Sequence, residues 1–265
     1  MTNTIYADAI ENDEPIKIDG LMLYPIQVRQ YRQFEAARSS LLVRQGSLPV
    51  EYAIMNYLSA LYAMDYDAAK ETGHALGFIS GAMTMLALAM RFPADALLRG
   101  MQIHVSEQDE RELVSILLRA GENMVNVTPV LFDRLRPIIA AQNGLELPDE
   151  AENIDLVEAD RDIAAKNGED INVDFRTLKA AIARDQHCRQ ADLMDYTIRE
   201  FMDLRAAIER DKMFTICKTA EYANGVKFPK GNPYPSWCYD RGGKQSSMIS
   251  MKEFMAGPGS VASMN

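Results

Sequence analysis

An acidic stretch divides the apolar pattern of this chain in two. Residues 145–172 contain ten acidic residues and only two basic ones, Arg161 and Lys166, and Pro148 and Gly168 interrupt them. Charges of one sign repel each other and favour a solvated segment over a packed one. The sequence therefore predicts an acidic linker over 145–172, with at most one short exposed helix, between an N-terminal domain (16–144) and a C-terminal domain (173–241).

The two ends of the chain lack the pattern of a packed element. Residues 1–15 are acidic and contain no apolar core segment, which predicts a flexible N-terminus and not a signal peptide. Residues 242–265 predict a disordered tail that carries a short, methionine-rich apolar string. Because methionine adapts to varied apolar surfaces, this string is a candidate for docking in a partner's groove; its members are Met248, Met251, Phe254 and Met255.

Periodic apolar residues in the N-terminal domain predict helices. The Asp19-Gly20 pair between alternating apolar residues first predicts a hairpin over 16–23. An amphipathic helix is then expected from Pro25 to about Val43. A second helical face follows at spacings of three and four, and its members are Ile54, Tyr57, Leu58, Leu61 and Tyr62.

The Gly/Ala-rich segment 73–91 predicts a third helix. Its apolar part runs from His74 to Met90, which at 17 residues is at the lower limit for a membrane span. Small residues such as Gly77 and Gly81 instead favour a helix buried in the protein, where they allow close packing. We therefore expect no membrane association.

Residues 100–144 change from alternating to helical spacing. Alternation over 101–105 and 124–127 predicts a small antiparallel sheet, whereas 109–119 fits either a strand or a helix. Thr128-Pro129 is a typical helix start, with Thr as the N-cap and Pro in the first turn. Asn143-Gly144 is a typical helix end.

The C-terminal domain shows helical spacing in two places, at Phe175, Leu178 and Ile182 and again from Ile198 to Ile208, and a last helix is expected over 213–222. The first two of these helices together resemble a helix-turn-helix. The second of the two, however, carries several acidic residues that would face DNA phosphates. The predicted fold class is mainly α, with helical bundle units and a small antiparallel β element in the N-terminal part.

Charge and motifs exclude several classes of function. The formal net charge is −10, which disfavours binding to nucleic acid through phosphates. Three sparse cysteines without CxxC spacing, Cys188, Cys217 and Cys238, suggest reduced thiols in a cytoplasm. No phosphate-binding, nucleophile-elbow or metal-ligand motif occurs in the sequence. We therefore expect no catalytic residue, no metal and no cofactor.

Three stretches resemble a group of helical proteins from tailed phages and prophages of Gram-positive hosts. The first is Leu23-Tyr24-Pro25-Ile26, which leads into a helix with Tyr31 and Phe34. The second, 132–143, resembles the group's F-x-x-x-R-x-I-I-x-x-Q-N pattern. The third, 193–201, resembles its M-S/T-I-x-x-F helix, with 226–237 as the closing segment.

That resemblance implies a tail assembly chaperone, a protein of the host cytoplasm that binds the tape-measure protein and promotes assembly of tail-tube subunits. It supplies no catalytic residues. We expect the binding surface on the N-terminal helices, at Ile54, Tyr57 and Leu61, together with the methionine-rich tail. A neck or baseplate component of the virion, a helical adaptor unrelated to phages and a cysteine-dependent enzyme are the alternatives, and homo-oligomerisation stays open.

Overall fold

The structure is a computed structural model, and it describes residues 5–93, 100–150 and 174–223 together with residues 234, 236 and 237. The tail predicted over 242–265 and most of the predicted acidic linker lie outside the described residues.

The chain forms two compact units. The first contains residues 1–152 and 173–205, and the second contains residues 153–172 and 206–265. Residues 173–205, which we predicted to belong to a separate C-terminal domain, are therefore part of the same unit as the N-terminal helices.

The fold is mixed α/β, so the predicted class, mainly α with one small β element, is wrong. The described residues form two antiparallel sheets, one of two strands and one of three. The strands are β1 (Ile16–Ile18), β2 (Leu21–Leu23), β3 (Gln102–Val105), β4 (Leu113–Ala120) and β5 (Asn123–Val127). The helices are α1 (Ala7–Glu11), α2 (Tyr31–Ala37), α3 (Val50–Ala53), α4 (Tyr57–Thr72), α5 (Phe78–Ala89), α6 (Pro129–Gln142), α7 (Phe175–Asp185) and α8 (Ile198–Tyr222).

The three-stranded sheet accounts for the error in fold class. Its order is β3-β4-β5, and β4 resolves the ambiguous segment 109–119 as a strand. Ile116 pairs with Val127 and Leu118 with Val125, and all four side chains are buried. In a strand, every second side chain points to the same face of the sheet, and here that face is buried. This apolar run therefore forms a strand and not the helix that it also fitted.

The predicted hairpin of β1 and β2 is confirmed. Ile16 lies opposite Leu23 and both are buried. The turn residues Asp19 and Gly20 have φ values of 50° and 84°. A two-residue turn with both φ positive matches the twist of the strands, and Asp and Gly tolerate that conformation better than other residues.

Helix α5 lies at the centre of the first unit, with most of its side chains fully buried. Asp65 on α4, itself buried, caps the N-terminus of α5 by accepting from the backbone N–H groups of Gly77, Phe78 and Ile79 at 2.9, 3.1 and 2.8 Å. A carboxylate suits this position because the first N–H groups of a helix lack partners within the helix.

Helix α6 starts and ends where we predicted. The hydroxyl of Thr128 accepts from the backbone N–H of Leu131 at 3.2 Å, and α6 ends before Asn143. The Asn143 side chain then accepts from the buried backbone N–H of Ile26 at 2.9 Å and donates to the carbonyl of Ile139 at 2.7 Å. It thereby joins the end of α6 to the segment that precedes α2.

The start of α8 is joined to that same segment. Backbone N–H groups donate from Ile198 to the carbonyl of Ile26 at 2.8 Å and from Val28 to that of Tyr196 at 2.9 Å. Thr197 and Glu200 form a reciprocal capping box at the helix start. Helix α8 then continues unbroken to Tyr222, so the separate last helix predicted over 213–222 does not occur.

Candidate protein-binding groove

The structure separates the residues that we predicted to form a binding face. Ile54 lies just before α4 and is 80% exposed, whereas Tyr57 is 2% exposed and Leu61 is fully buried. The helical periodicity in this segment marks the side that packs into the core, so Tyr57 and Leu61 cannot contact a partner in this conformation. Met248, Met251, Phe254 and Met255 lie outside the described residues.

The Tyr57 side chain is instead held inside the fold. Its hydroxyl donates to the carbonyl of Ser40 at 2.7 Å and accepts from the backbone N–H of Val43 at 3.0 Å. The Arg136 guanidinium lies 3.5 Å from the centre of its ring. Burial raises the pKa of Tyr57 to about 12, although Arg136 opposes the rise, so the hydroxyl stays protonated at neutral pH.

A different site, an open groove of about 1010 Å³, lies between α2 and α7 within the first unit. Residues 28–33 line one side, residues 174–176 and Lys179 line the other, and Gln190 and Met194 complete the lining. This volume is at the upper end of the range for ligand pockets and accommodates several side chains of a bound peptide. We call it the α2–α7 groove.

An aromatic pair joins the two walls of the α2–α7 groove. The rings of Tyr31 and Phe175 stack with centroids 4.1 Å apart and planes 6° apart, and Phe175 contacts the buried Phe201 at 5.7 Å. Burial raises the pKa of the Tyr31 hydroxyl, and the nearby Glu35 carboxylate adds to the rise. Tyr31 is therefore a neutral, half-buried phenol that presents apolar surface and one polar atom.

Cations surround the aromatic pair. Among the described residues, Arg29, Arg32, Arg176 and Lys179 line the groove, and Asp174 is the one acidic residue in its lining. Hydrogen bonds from backbone N–H groups, above all that of Thr177 at 2.7 Å, lower the pKa of Asp174, which caps the start of α7. The groove is therefore locally basic on a chain whose net charge is −10.

The cations differ in how firmly they are held. Arg29 forms an ion pair with Asp195, and the Lys179 ammonium lies 3.7 Å from the Met194 sulfur and 5.6 Å from the Phe175 ring centre. The exposed Arg32 has no ion-pair partner within the part of the chain that the structure describes. Arg32 can thus meet a carboxylate without breaking an ion pair among the described residues.

Among the described residues, the lining of the groove contains no cysteine, serine or histidine. Of the predicted thiols, Cys188 is half-buried, Cys217 is buried and Cys238 lies outside the described residues. Within 5–93, 100–150 and 174–223, no three His, Cys, Asp or Glu side chains are arranged to hold a metal ion. No helix in those same ranges combines the length and apolar character needed to cross a bilayer.

Sequence reasoning missed the groove because its walls are distant in the chain. The segment around Tyr31 and Arg32 appeared only as an amphipathic helix, and Phe175 only as one residue of an apolar face. The sequence contains one indication of the groove, which is that cationic residues flank an aromatic residue in both segments. Arg29 and Arg32 flank Tyr31, and Arg176 follows Phe175.

The motif that carries the second stretch of the phage resemblance has a structural role here. Phe132 packs on Tyr57 with ring centroids 6.4 Å apart, and Arg136 donates to the carbonyl of Leu41 at 2.9 Å. Gln142 donates to the carbonyl of Glu14 at 3.1 Å, and Asn143 holds Ile26. These side chains hold α6 against neighbouring segments of the chain.

Comparison with known protein families, with curated proteins and with solved structures gives no match for this chain.

Proposed function

We propose that this chain is a tail assembly chaperone of a tailed phage or prophage. In this role it acts in the host cytoplasm, binds the tape-measure protein, keeps that protein's apolar helices soluble and promotes assembly of tail-tube subunits. It has no catalytic activity of its own and binds neither nucleic acid nor membrane. The three stretches of sequence resemblance named above support this assignment.

The structural observation that carries the proposal is the α2–α7 groove. A chaperone needs an open surface that combines apolar and polar contacts, since its clients expose apolar side chains before assembly. The stacked Tyr31–Phe175 pair supplies rigid apolar area, and the cations around it supply adaptable polar contacts. The exposed Ile54, which lies outside the groove, remains a candidate for additional contact.

Co-expression with the neighbouring long, helix-rich open reading frame tests the proposal. We expect the long protein to be soluble only in the presence of this chain and to co-elute with it in size exclusion. A tape-measure protein that is equally soluble alone and forms no complex would contradict the chaperone role.

The protein inventory of purified particles separates the chaperone from a virion component. A chaperone leaves before the tail is complete, so we expect this chain in lysates of infected cells but not in particles. Stoichiometric presence in particles would instead assign it to the neck or baseplate.

A further inference from the structure

We propose that the α2–α7 groove binds an acidic segment of the partner protein, with an apolar side chain of that segment packed on the Tyr31–Phe175 pair. This inference rests on the proposed function for the identity of the partner, but not for the chemistry of the ligand. That chemistry follows from the charge, the aromatic pair and the shape of the groove.

The charge of the groove is opposite to that of the chain. Among the described residues, four cationic side chains line it against one carboxylate, which caps α7. One of the four, Arg29, is paired with Asp195 outside the lining. Arginine guanidinium groups bind carboxylates through two parallel hydrogen bonds, and both Arg32 and Arg176 are exposed to receive them. A short acidic segment therefore complements the groove where most of this protein's surface would repel it.

The aromatic pair defines the second requirement of the ligand. Tyr31 and Phe175 are half-buried, so the stacked pair keeps part of its apolar surface accessible in the groove. A leucine or phenylalanine of the ligand would remove that surface from water. The preferred ligand is thus an acidic segment that also carries large apolar residues.

A nucleic acid strand fits these observations less well. Aromatic and basic side chains together can also stack bases and neutralise phosphates. A strand, however, carries a charge at every nucleotide and would extend beyond the four cations onto a chain of net charge −10.

Fluorescence polarisation with the full chain tests the proposal. The probe is a short labelled peptide of Glu, Asp, Leu and Phe residues. Two comparison peptides replace either its acids by Gln and Asn or its apolar residues by Ser. We expect both replacements to weaken binding, and added salt to weaken binding of the acidic probe because the contacts are partly exposed. Equal binding of the uncharged peptide would overturn the proposal.

The matched variants are two double charge reversals. Arg32→Glu/Arg176→Glu changes the groove, and Lys17→Glu/Arg119→Glu makes the same charge change at exposed positions on β1 and β4. We expect the groove variant to lose about ten-fold in affinity or more, and the control to stay within about two-fold. Equal losses in both variants would show a general charge effect and overturn the assignment.

If the native chain does not bind the acidic probe, or if single-stranded DNA binds the groove more tightly than the peptide, the proposal fails.

Co-elution with the tape-measure protein distinguishes this failure from failure of the chaperone role. If the tape-measure protein co-elutes equally with native chain and Arg32→Glu/Arg176→Glu, the chaperone role stands and the groove assignment falls. If the acidic peptide binds the groove but the tape-measure protein does not co-elute, the groove assignment stands and the chaperone role falls.

Discussion

The ring of Tyr31 stacks on the ring of Phe175, with centroids 4.1 Å apart and planes only 6° apart. This contact joins a helix near the start of the chain to one that follows the acidic stretch. A double-mutant cycle with Tyr31→Leu and Phe175→Leu measures it by urea unfolding. We expect a coupling of about 0.5–1.5 kcal/mol, the range for aromatic pairs. Additive effects of the two substitutions would mean that the rings do not stabilise each other in solution.

Asn143 is a buried polar residue of the second motif, and its side chain accepts a hydrogen bond from the buried backbone N–H of Ile26. Asn143→Ala leaves that N–H without a partner, and we expect the free energy of unfolding to fall by about 1–3 kcal/mol. Asn126→Ala, at an exposed position on β5, is the control and should stay within about 0.5 kcal/mol. Similar losses at both sites would argue against a special role for the Ile26 contact.

Gly81 on α5 gives a test of close packing. A Cβ at this position would lie 2.9 Å from the Ser40 Cβ and 3.1 Å from its hydroxyl oxygen. That hydroxyl is fixed because it donates to the carbonyl of Ala37 at 2.6 Å. Alanine is the better helix former, yet we expect Gly81→Ala to lower the free energy of unfolding by about 1–3 kcal/mol.

The neighbouring exposed Ser80 provides the control for this substitution. Ser80→Ala adds no contact with Ser40 and should leave stability unchanged or slightly higher. In a Ser40→Gly background the cost of Gly81→Ala should shrink, because the nearest atom is gone. A cost that persists there would place the clash elsewhere.

Local chemistry in the sequence was sufficient for several elements. The hairpin follows from the conformational tolerance of Asp19 and Gly20, and the bounds of α6 follow from the capping groups Thr128 and Asn143. The expectation that small residues pack closely agrees with Gly81, which touches the segment at Ser40. The first two depend on interactions between residues that are near in sequence, whereas the third also requires the distant Ser40 to meet Gly81.

The rest depends on contacts between distant segments. Periodicity identified the apolar side of α4 but did not show whether it faces the core or a partner, so Tyr57 and Leu61 were placed on a binding surface. The α2–α7 groove requires residues 28–33 and 174–179 to meet, and no local pattern encodes that meeting. Our prediction divided the continuous helix α8 into two helices, because Asp and Lys near its middle weaken the apolar pattern. These residues do not break the helix.

Asp13 provides a prediction about pH. Burial raises the pKa of this carboxyl above 3.8 and the nearby Glu200 raises it further, while a hydrogen bond from the Thr197 hydroxyl at 3.3 Å opposes the rise. The other carboxylate oxygen is buried without a hydrogen-bond partner among the described residues. A raised pKa in the folded state means that the folded chain binds this proton more tightly than the unfolded chain does. The contribution of Asp13 to stability is therefore full below pH 3.8 and is lost as the pH rises through its folded pKa.

Asp13→Asn removes that loss while it retains an oxygen for Thr197, and asparagine tolerates the local φ of 53°. We expect the variant to unfold at a higher urea concentration than the native chain at pH 7. The difference between the two midpoints should shrink as the pH falls toward 3.8. Glu122→Gln, at an exposed turn between β4 and β5, removes the same charge and controls for net charge. If Asp13→Asn is no more stable than Glu122→Gln at pH 7, or if its advantage grows in acid, Asp13 is not the strained carboxyl that its burial beside Glu200 implies.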